Sequence, residues 1–413
     1  MPKNLPLSLY KFLLPAIITL FSLSLIPKIA FIKYLVYLIL AIYALLNPNS
    51  FLHEIKSSIF LKLLLIYSTW CLISSAWSNN SIISLERGVL QLFLFLTLYR
   101  IASKGNSINA IPSAFVIILI SIFSLISNIP SDSWSGGNAK GFMGFFSHQN
   151  SLGAIIIFLL PFLLLFIGQN YKKLNSSIPV IVASVSSFIL FILLVMTSSR
   201  ASILSFFVFI ILFISLIDFK KSIRVFGTVF LIIMALQNIT IISDFTHTLI
   251  FKGRDKFGES RFTVYSASIQ SAKNGGLIGI GFGMSDKTNL HPEISIIKNN
   301  VICREKGSTI LALIEEVGVI GLILFYLPFV WLIWKIIIQI KLNPTQIEPK
   351  FYLALIISLI IHQQFEAWGT GIGSPFFALF ILYSSTALPL KKKGIKTGHS
   401  FLIPNISYGS TSP

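Results

Sequence analysis

Apolar residues run along this chain in long blocks separated by short polar connections. Twelve blocks approach the length of about 20 residues that a helix needs to cross a bilayer: 9–26, 29–46, 59–77, 86–101, 110–128, 151–169, 178–196, 201–217, 223–242, 315–340, 351–367 and 375–389. The fourth carries Glu86 and Arg87 at its start, and the last is short. A backbone in hydrocarbon must satisfy its own polar groups, so blocks of this length are read as helices. The pattern predicts an all-α polytopic membrane protein with about 12 transmembrane helices. Residues 1–389 form one transmembrane domain, and 390–413 form a basic, polar, disordered tail. Lys3 and Lys11 precede the first block, and no small-residue cleavage site interrupts it before Ile26-Pro27-Lys28. It reads as an uncleaved first helix that also targets the protein.

One connection breaks the rhythm. Residues 243–307, between the ninth and tenth blocks, form a long loop, and a loop of that length is normally functional. Two or three short helices are expected within it, one around 259–273. From Ser308 to Ile320 apolar residues recur at helical spacing around Glu315 and Glu316, so that helix is expected to start outside the membrane. No internal repeat is evident.

Composition agrees with the pattern. Of 413 residues, 54% are apolar and 11% charged, against about 25% charged in soluble domains. The net charge of +18 changes the picture only through its distribution. With the N-terminus in the cytoplasm, most Lys and Arg fall on inner connections, and short outer ones receive Lys28, Lys33, Arg87, Lys140 and Arg200. That is the positive-inside pattern, and it returns the C-terminus to the cytoplasm. The long loop carries Arg254, Arg261, Arg304 and further lysines, but long loops translocate largely regardless of charge. No soluble basic domain exists to bind nucleic acid. Cys71 and Cys303 show no metal-ligand spacing; they read as unrelated thiols, with a disulfide as the alternative. No ligand cluster points to a metal.

Charges at membrane edges are costly, so each is a functional candidate. Arg200 follows Thr197-Ser198-Ser199 between two apolar helices on the outer side, as an anion site or as an arginine snorkelling at a helix end. Arg261 lies in Glu259-Ser260-Arg261-Phe262-Thr263-Val264-Tyr265, ahead of the glycine-rich run Gly275 to Gly283. That run follows no strand, so it reads as a turn capping a loop helix rather than a phosphate loop. Asn150 and His148 lie where an outer connection enters the sixth helix, and Asn150 could cap it. Glu366, in His362-Gln363-Gln364-Phe365-Glu366, ends the eleventh helix near the outer face, where a carboxylate could pair with an outer arginine.

Together these segments resemble a family. Gly144 to Asn150 before a helix, Thr197 to Ala201 between two helices, Glu259 to Ser268 followed by Gly276 to Gly283, and Ser308 to Gly321 all resemble the O-antigen ligase/polymerase domain, over roughly residues 140–325. The resemblance implies a glycosyltransferase of the bacterial inner membrane, acting at the periplasmic face on an undecaprenyl-pyrophosphate-linked oligosaccharide among membrane lipids. By carry-over, Arg200 and Arg261 grip the pyrophosphate. Because the donor supplies the energy, no cofactor or metal is implied. Asn150, Arg254 and Arg304 are further candidate substrate contacts. Ligases of the family carry His-Asn where this chain has Gly307-Ser308, so their candidate base is absent, and Glu305, Glu366, His291 and His148 stand as alternatives. The resulting expectation is a polysaccharide polymerase, a reading that would add a chain-length regulator as a partner. A ligase acting on lipid A-core or protein comes second, and a polysaccharide flippase or transporter third.

Overall fold

The computed structural model describes residues 7–45, 54–104, 111–126, 141–170, 178–218, 259–286, 295–298, 301–371 and 373–388. Its helices are α1 (Leu7–Leu23), α2 (Ile32–Leu45), α3 (Ile59–Ile73), α4 (Ser81–Lys104), α5 (Ile111–Ile126), α6 (Gln149–Asn170), α7 (Ile178–Met196), α8 (Arg200–Ile217), α9 (Glu259–Gly275), α10 (Thr309–Leu342), α11 (Ile347–His362) and α12 (Pro375–Thr386). Strands β1 (Ser295–Lys298) and β2 (Val301–Arg304) form an antiparallel hairpin, with Ser295 opposite Arg304. Each apolar block therefore has its helix except 223–242, which lies outside the described residues, as do Arg254, His291 and the tail. Six of the helices are long and apolar enough to span a membrane.

Burial separates inner helices from outer ones. Every residue of α6 from Leu152 to Leu163 is buried, and so is every residue of α12 from Pro375 to Ser385. A helix that is apolar all round belongs inside a bundle. This explains how the short α12 can exist: neighbouring helices, not lipid, cover it. Rings interlock these layers, with Phe162 against Tyr383 at 4.7 Å and Phe329 against Phe380 at 4.7 Å between centroids. The other helices keep exposed apolar stripes. On α10 the stripe starts at Val319 and Ile320 and continues through Ile323, Leu327, Val330, Trp334 and Ile337 in steps of three or four residues, as one lipid-facing line requires.

Helix α9 lies where a loop helix was read, but the segment before α10 is a β-hairpin. Nor does the glycine run merely cap α9. Helix α10 is broken at Gly318, whose φ of 74° and ψ of −177° are not helical, and residues 276–281 dock into the break. The freed carbonyls of Glu315 and Glu316 accept from the amides of Ile280 (2.9 Å) and Gly281 (2.9 Å). The amides of Val319 and Ile320 donate to the carbonyls of Gly276 (3.1 Å) and Leu277 (3.2 Å). Trp70 Nε1 donates to the carbonyl of Val317 (2.9 Å), and Trp77 Nε1 to that of Gly279 (3.2 Å). The carbonyls of Glu315, Glu316 and Val317 and the amides of Val319 and Ile320 thus all find partners, as non-helical backbone near lipid demands.

A Cβ on Gly318 would strike the backbone of Leu277. Its backbone geometry is also one that essentially only glycine adopts, at a cost of about 1–3 kcal/mol for another residue. Gly318→Ala is therefore expected to lower the thermal unfolding midpoint of the detergent-solubilised protein. An unchanged midpoint would mean that the break does not constrain the fold.

Side chains reinforce the same junction. The Arg304 guanidinium, fully buried, meets Glu315 at 2.7 Å. Lys306 pairs with Glu316 and lies 3.6 Å from Glu315. Glu315 Oε1 also accepts from the amide of Asp286 (2.8 Å), and Glu316 Oε2 from that of Gly283 (2.8 Å). Arg87, in the first turns of α4, donates to the carbonyl of Gly283. The polar start of the fourth block thus belongs to this junction, and α4 begins earlier than its apolar stretch.

Candidate functional site

Four short segments, far apart in sequence, meet at the turn that follows α11. His362 ends that helix, and the turn through Glu366 leads into a short 3-10 helix at Trp368–Thr370. The turn is held from beneath by Trp368, which packs on Phe158 of α6 at 5.7 Å and Phe380 of α12 at 5.5 Å.

The segment entering α6 arrives first. The amide of Phe142 donates to the carbonyl of Met196 (2.9 Å), hooking this segment to the end of α7. His148 is exposed, and its Nδ1 accepts the amide of Asn150 (3.1 Å), so this imidazole caps α6. Asn150 is thereby free of the capping role, and its Nδ2 donates to Glu366 Oε1 at 2.6 Å. Two candidates separated by 216 residues are in direct contact.

The link between α7 and α8 arrives second. Thr197, Ser198 and Ser199 reverse the chain in three residues, with Ser198 in the left-handed region at φ 51°. A residue with a Cβ is uncommon there, and such strain gathers at functional sites. Arg200, half-buried, opens α8 immediately after this turn. Gly153 of α6 lies against Ser199 and Ser202 so closely that a Cβ would press on both. Ser199 Oγ and Ser202 Oγ are 3.0 Å apart, and Ser202 Oγ lies 3.1 Å from His362 Nε2. Trp368 Nε1 donates to His362 Nδ1 at 2.8 Å. An indole can only donate, so Nδ1 carries the lone pair and the ring's proton sits on Nε2. His362 then donates to Ser202, which shares a hydrogen bond with Ser199. This buried neutral chain fastens the start of α8, with Arg200, to the turn that carries Glu366.

The third and fourth segments come from the loop side. Tyr265 of α9 donates its hydroxyl proton to the carbonyl of Gln364 (2.9 Å). Arg261 lies one helical turn earlier, on the same line of α9. At the start of α10, Ser308 Oγ donates to Gln364 Oε1 (3.1 Å), and the amide of Thr309 donates to the carbonyl of Gln363 (3.0 Å). The amide of Gly369 donates to Thr309 Oγ1 (3.2 Å). Gly307 is buried beside the Tyr265 ring, and its amide donates to Ser268 Oγ (3.0 Å). Position 307 therefore has little room for a side chain as large as an imidazole.

The remaining candidates are placed as follows. Glu305 is exposed. Arg304, read as a substrate contact, is sealed in its ion pair with Glu315 and holds the hairpin to α10, so its guanidinium is not presented to a ligand. Arg254 and His291 lie outside the described residues. Cys71 is a free, buried thiol. Sequence reasoning missed the Ser202–His362–Trp368 chain, because a serine and a histidine inside apolar helices look like ordinary core positions until the helices are brought together.

The fold and this convergence define a class: a polytopic membrane protein whose unusual polar groups gather at one face of the bundle. Residues 185–326 match the family model for O-antigen ligase. That segment contains α8 with Arg200, α9 with Arg261 and the break in α10. The match supports the O-antigen ligase/polymerase family, and with it membrane-embedded glycan transfer of that general type. No curated protein matches the chain.

Proposed function

We propose that this protein is a polysaccharide polymerase of the O-antigen type, acting at the periplasmic face of the inner membrane. It transfers a growing glycan from an undecaprenyl pyrophosphate carrier to a sugar hydroxyl of another lipid-linked repeat unit. Arg200 and Arg261 hold the pyrophosphate, because a guanidinium is always charged and matches phosphate oxygens in a planar fork. Glu366 takes the proton of the attacking hydroxyl, and Asn150 fixes its carboxylate. The new bond forms at the anomeric carbon as the bond to pyrophosphate breaks, with inversion. The departing charge is stabilised by the two arginines, typically the largest contribution to such catalysis.

The observation that carries this reading is the contact between Asn150 and Glu366. It supports the reading because it ties Asn150 of α6 to a carboxylate on the turn that also holds α8 and α9. The missing histidine at Gly307-Ser308 favours the polymerase over a ligase, since the base must come from elsewhere. A transporter is disfavoured by the position of the helix break, which falls near the loop end of α10 rather than at the bilayer midplane.

The test is the lipopolysaccharide profile of a strain lacking this gene, complemented with wild type, Arg200→Ala or Arg261→Ala. Core carrying a single repeat, with no ladder, is expected for the deletion and for both variants. Bare core with accumulated lipid-linked glycan would make the protein a ligase. A ladder restored by either variant would remove that arginine from pyrophosphate binding.

A further inference from the structure

We infer that the glycine-rich segment after α9, together with one side of α9 itself, is a membrane-inserting wedge whose partner is the lipid surface on the loop side of the bundle. Four large apolar side chains outside the spanning helices are exposed here: Phe262 (73%), Ile269 (46%), Leu277 (69%) and Ile278 (45%). Left in water they would form an unusual patch for a segment otherwise this polar.

Two observations identify lipid as what covers them. The first is continuity with the lipid-facing line of α10. The backbone bonds from Val319 to Gly276 and from Ile320 to Leu277 fix the wedge beside the top of that line. From Val319 to Ile337 the line rises about 27 Å at 1.5 Å per residue, close to the hydrocarbon thickness of about 30 Å. Trp334 at its far end, with Lys335 Nζ 4.8 Å from the ring centroid, is the pairing of aromatic and snorkelling cation that marks a headgroup boundary. If Ile337 lies near one boundary, Val319 lies near the other, and Leu277 and Ile278 sit at that depth.

The second observation is how α9 divides its exposed surface. Phe262 and Ile269 are seven residues apart and share one line of the helix. Gln270 and Asn274, also exposed, turn away from that line, and exposed Ser266 lies between the two. The buried side, with Val264, Ala267, Ser268, Ser271 and Ala272, faces the protein. An apolar edge, a polar edge and a protein-facing side are what a helix lying in the headgroup plane presents. Lys273, exposed between the two edges, is placed to meet lipid phosphates.

The break at Gly318 now has a second consequence. It admits the wedge into the wall of the bundle, and so sets the depth of α9 relative to the bilayer. In the proposed reaction this would hold Arg261 at the level of a carrier pyrophosphate, but the wedge does not depend on that reaction.

The test uses the full chain, with Cys303→Ser to remove one thiol and buried Cys71 left in place. Single cysteines at Phe262, Ile269, Leu277 and Gln270 are spin-labelled, and the proteins are reconstituted into phosphatidylethanolamine–phosphatidylglycerol vesicles. Protein without an added cysteine supplies the background. Collisions are compared between oxygen, which concentrates in the bilayer, and a nickel chelate, which stays in water. Labels at 262, 269 and 277 are expected to favour oxygen severalfold, and the label at 270 to favour nickel. Nickel preference at 269 and 277 would overturn the proposal. So would labels there that neither reagent reaches, since protein rather than lipid would then cover the patch. No glycan enters the readout, so failure of the wedge and failure of the polymerase assignment are separate results.

Discussion

Glu366→Gln is expected to abolish the long glycan ladder while leaving the protein folded and in the membrane. Glutamine keeps the shape of the side chain and an oxygen to accept from Asn150 Nδ2, so the turn should hold. What it loses is the ability to take a proton. Removing a general base typically costs about 10²- to 10⁴-fold, and chain extension repeats that step at every repeat unit. The check is quantified ladder length and yield in a deletion strain, with the amount of protein in the membrane measured alongside. Asn150→Ala should give a smaller loss, because the carboxylate remains but is no longer held. Wild-type ladders from Glu366→Gln would move the base to Glu305, His148 or His291, and Asn150–Glu366 would then be a structural contact.

Arg304→Ala is expected to produce the largest loss of stability. Glu315 is fully buried beside it, and removing one partner of a buried pair leaves an uncompensated charge, at a cost of about 3–5 kcal/mol. Lys306 lies 3.6 Å from the same carboxylate and will recover part of that cost. The expected result is a sharply lowered thermal midpoint in detergent and reduced accumulation in the membrane. Glu315→Gln alone should also destabilise, because it strands Arg304. The double variant Arg304→Ala/Glu315→Gln should lose less than the sum of the two single changes, since neither charge is then left alone. Strict additivity would show that the pair does not couple the hairpin to α10. This experiment also separates Arg304 from Arg200 and Arg261, whose alanine variants should fold and fail only in glycan transfer.

Much of this protein was legible in the linear chain. Hydrocarbon imposes one rule on backbone, and the apolar blocks within the described residues therefore announced their helices without any knowledge of neighbours. The short last block was legible as a helix, but not as one enclosed by others, because burial of Pro375 to Ser385 depends on what packs around it. Glu259 to Tyr265 and the polar turn before Arg200 also stood out locally, as costly residues at membrane edges.

What only the tertiary structure decided was which polar groups act on one another. Asn150 reads as a helix cap until His148 is seen to take that role, leaving the amide for Glu366. Arg304 and Arg261 look alike in sequence, both arginines in one basic loop, yet Arg304 meets a buried carboxylate and is withdrawn from chemistry. The glycine run has no local reason to be more than a turn. Its purpose appears only against Gly318, whose broken helix exposes carbonyls and amides that the backbone of residues 276–281 can approach and satisfy. A sequence determines what each segment can satisfy alone; the pairing of what remains unsatisfied is set by which segments the tertiary fold brings together, from 11 residues apart for Arg304 and Glu315 to 216 for Asn150 and Glu366.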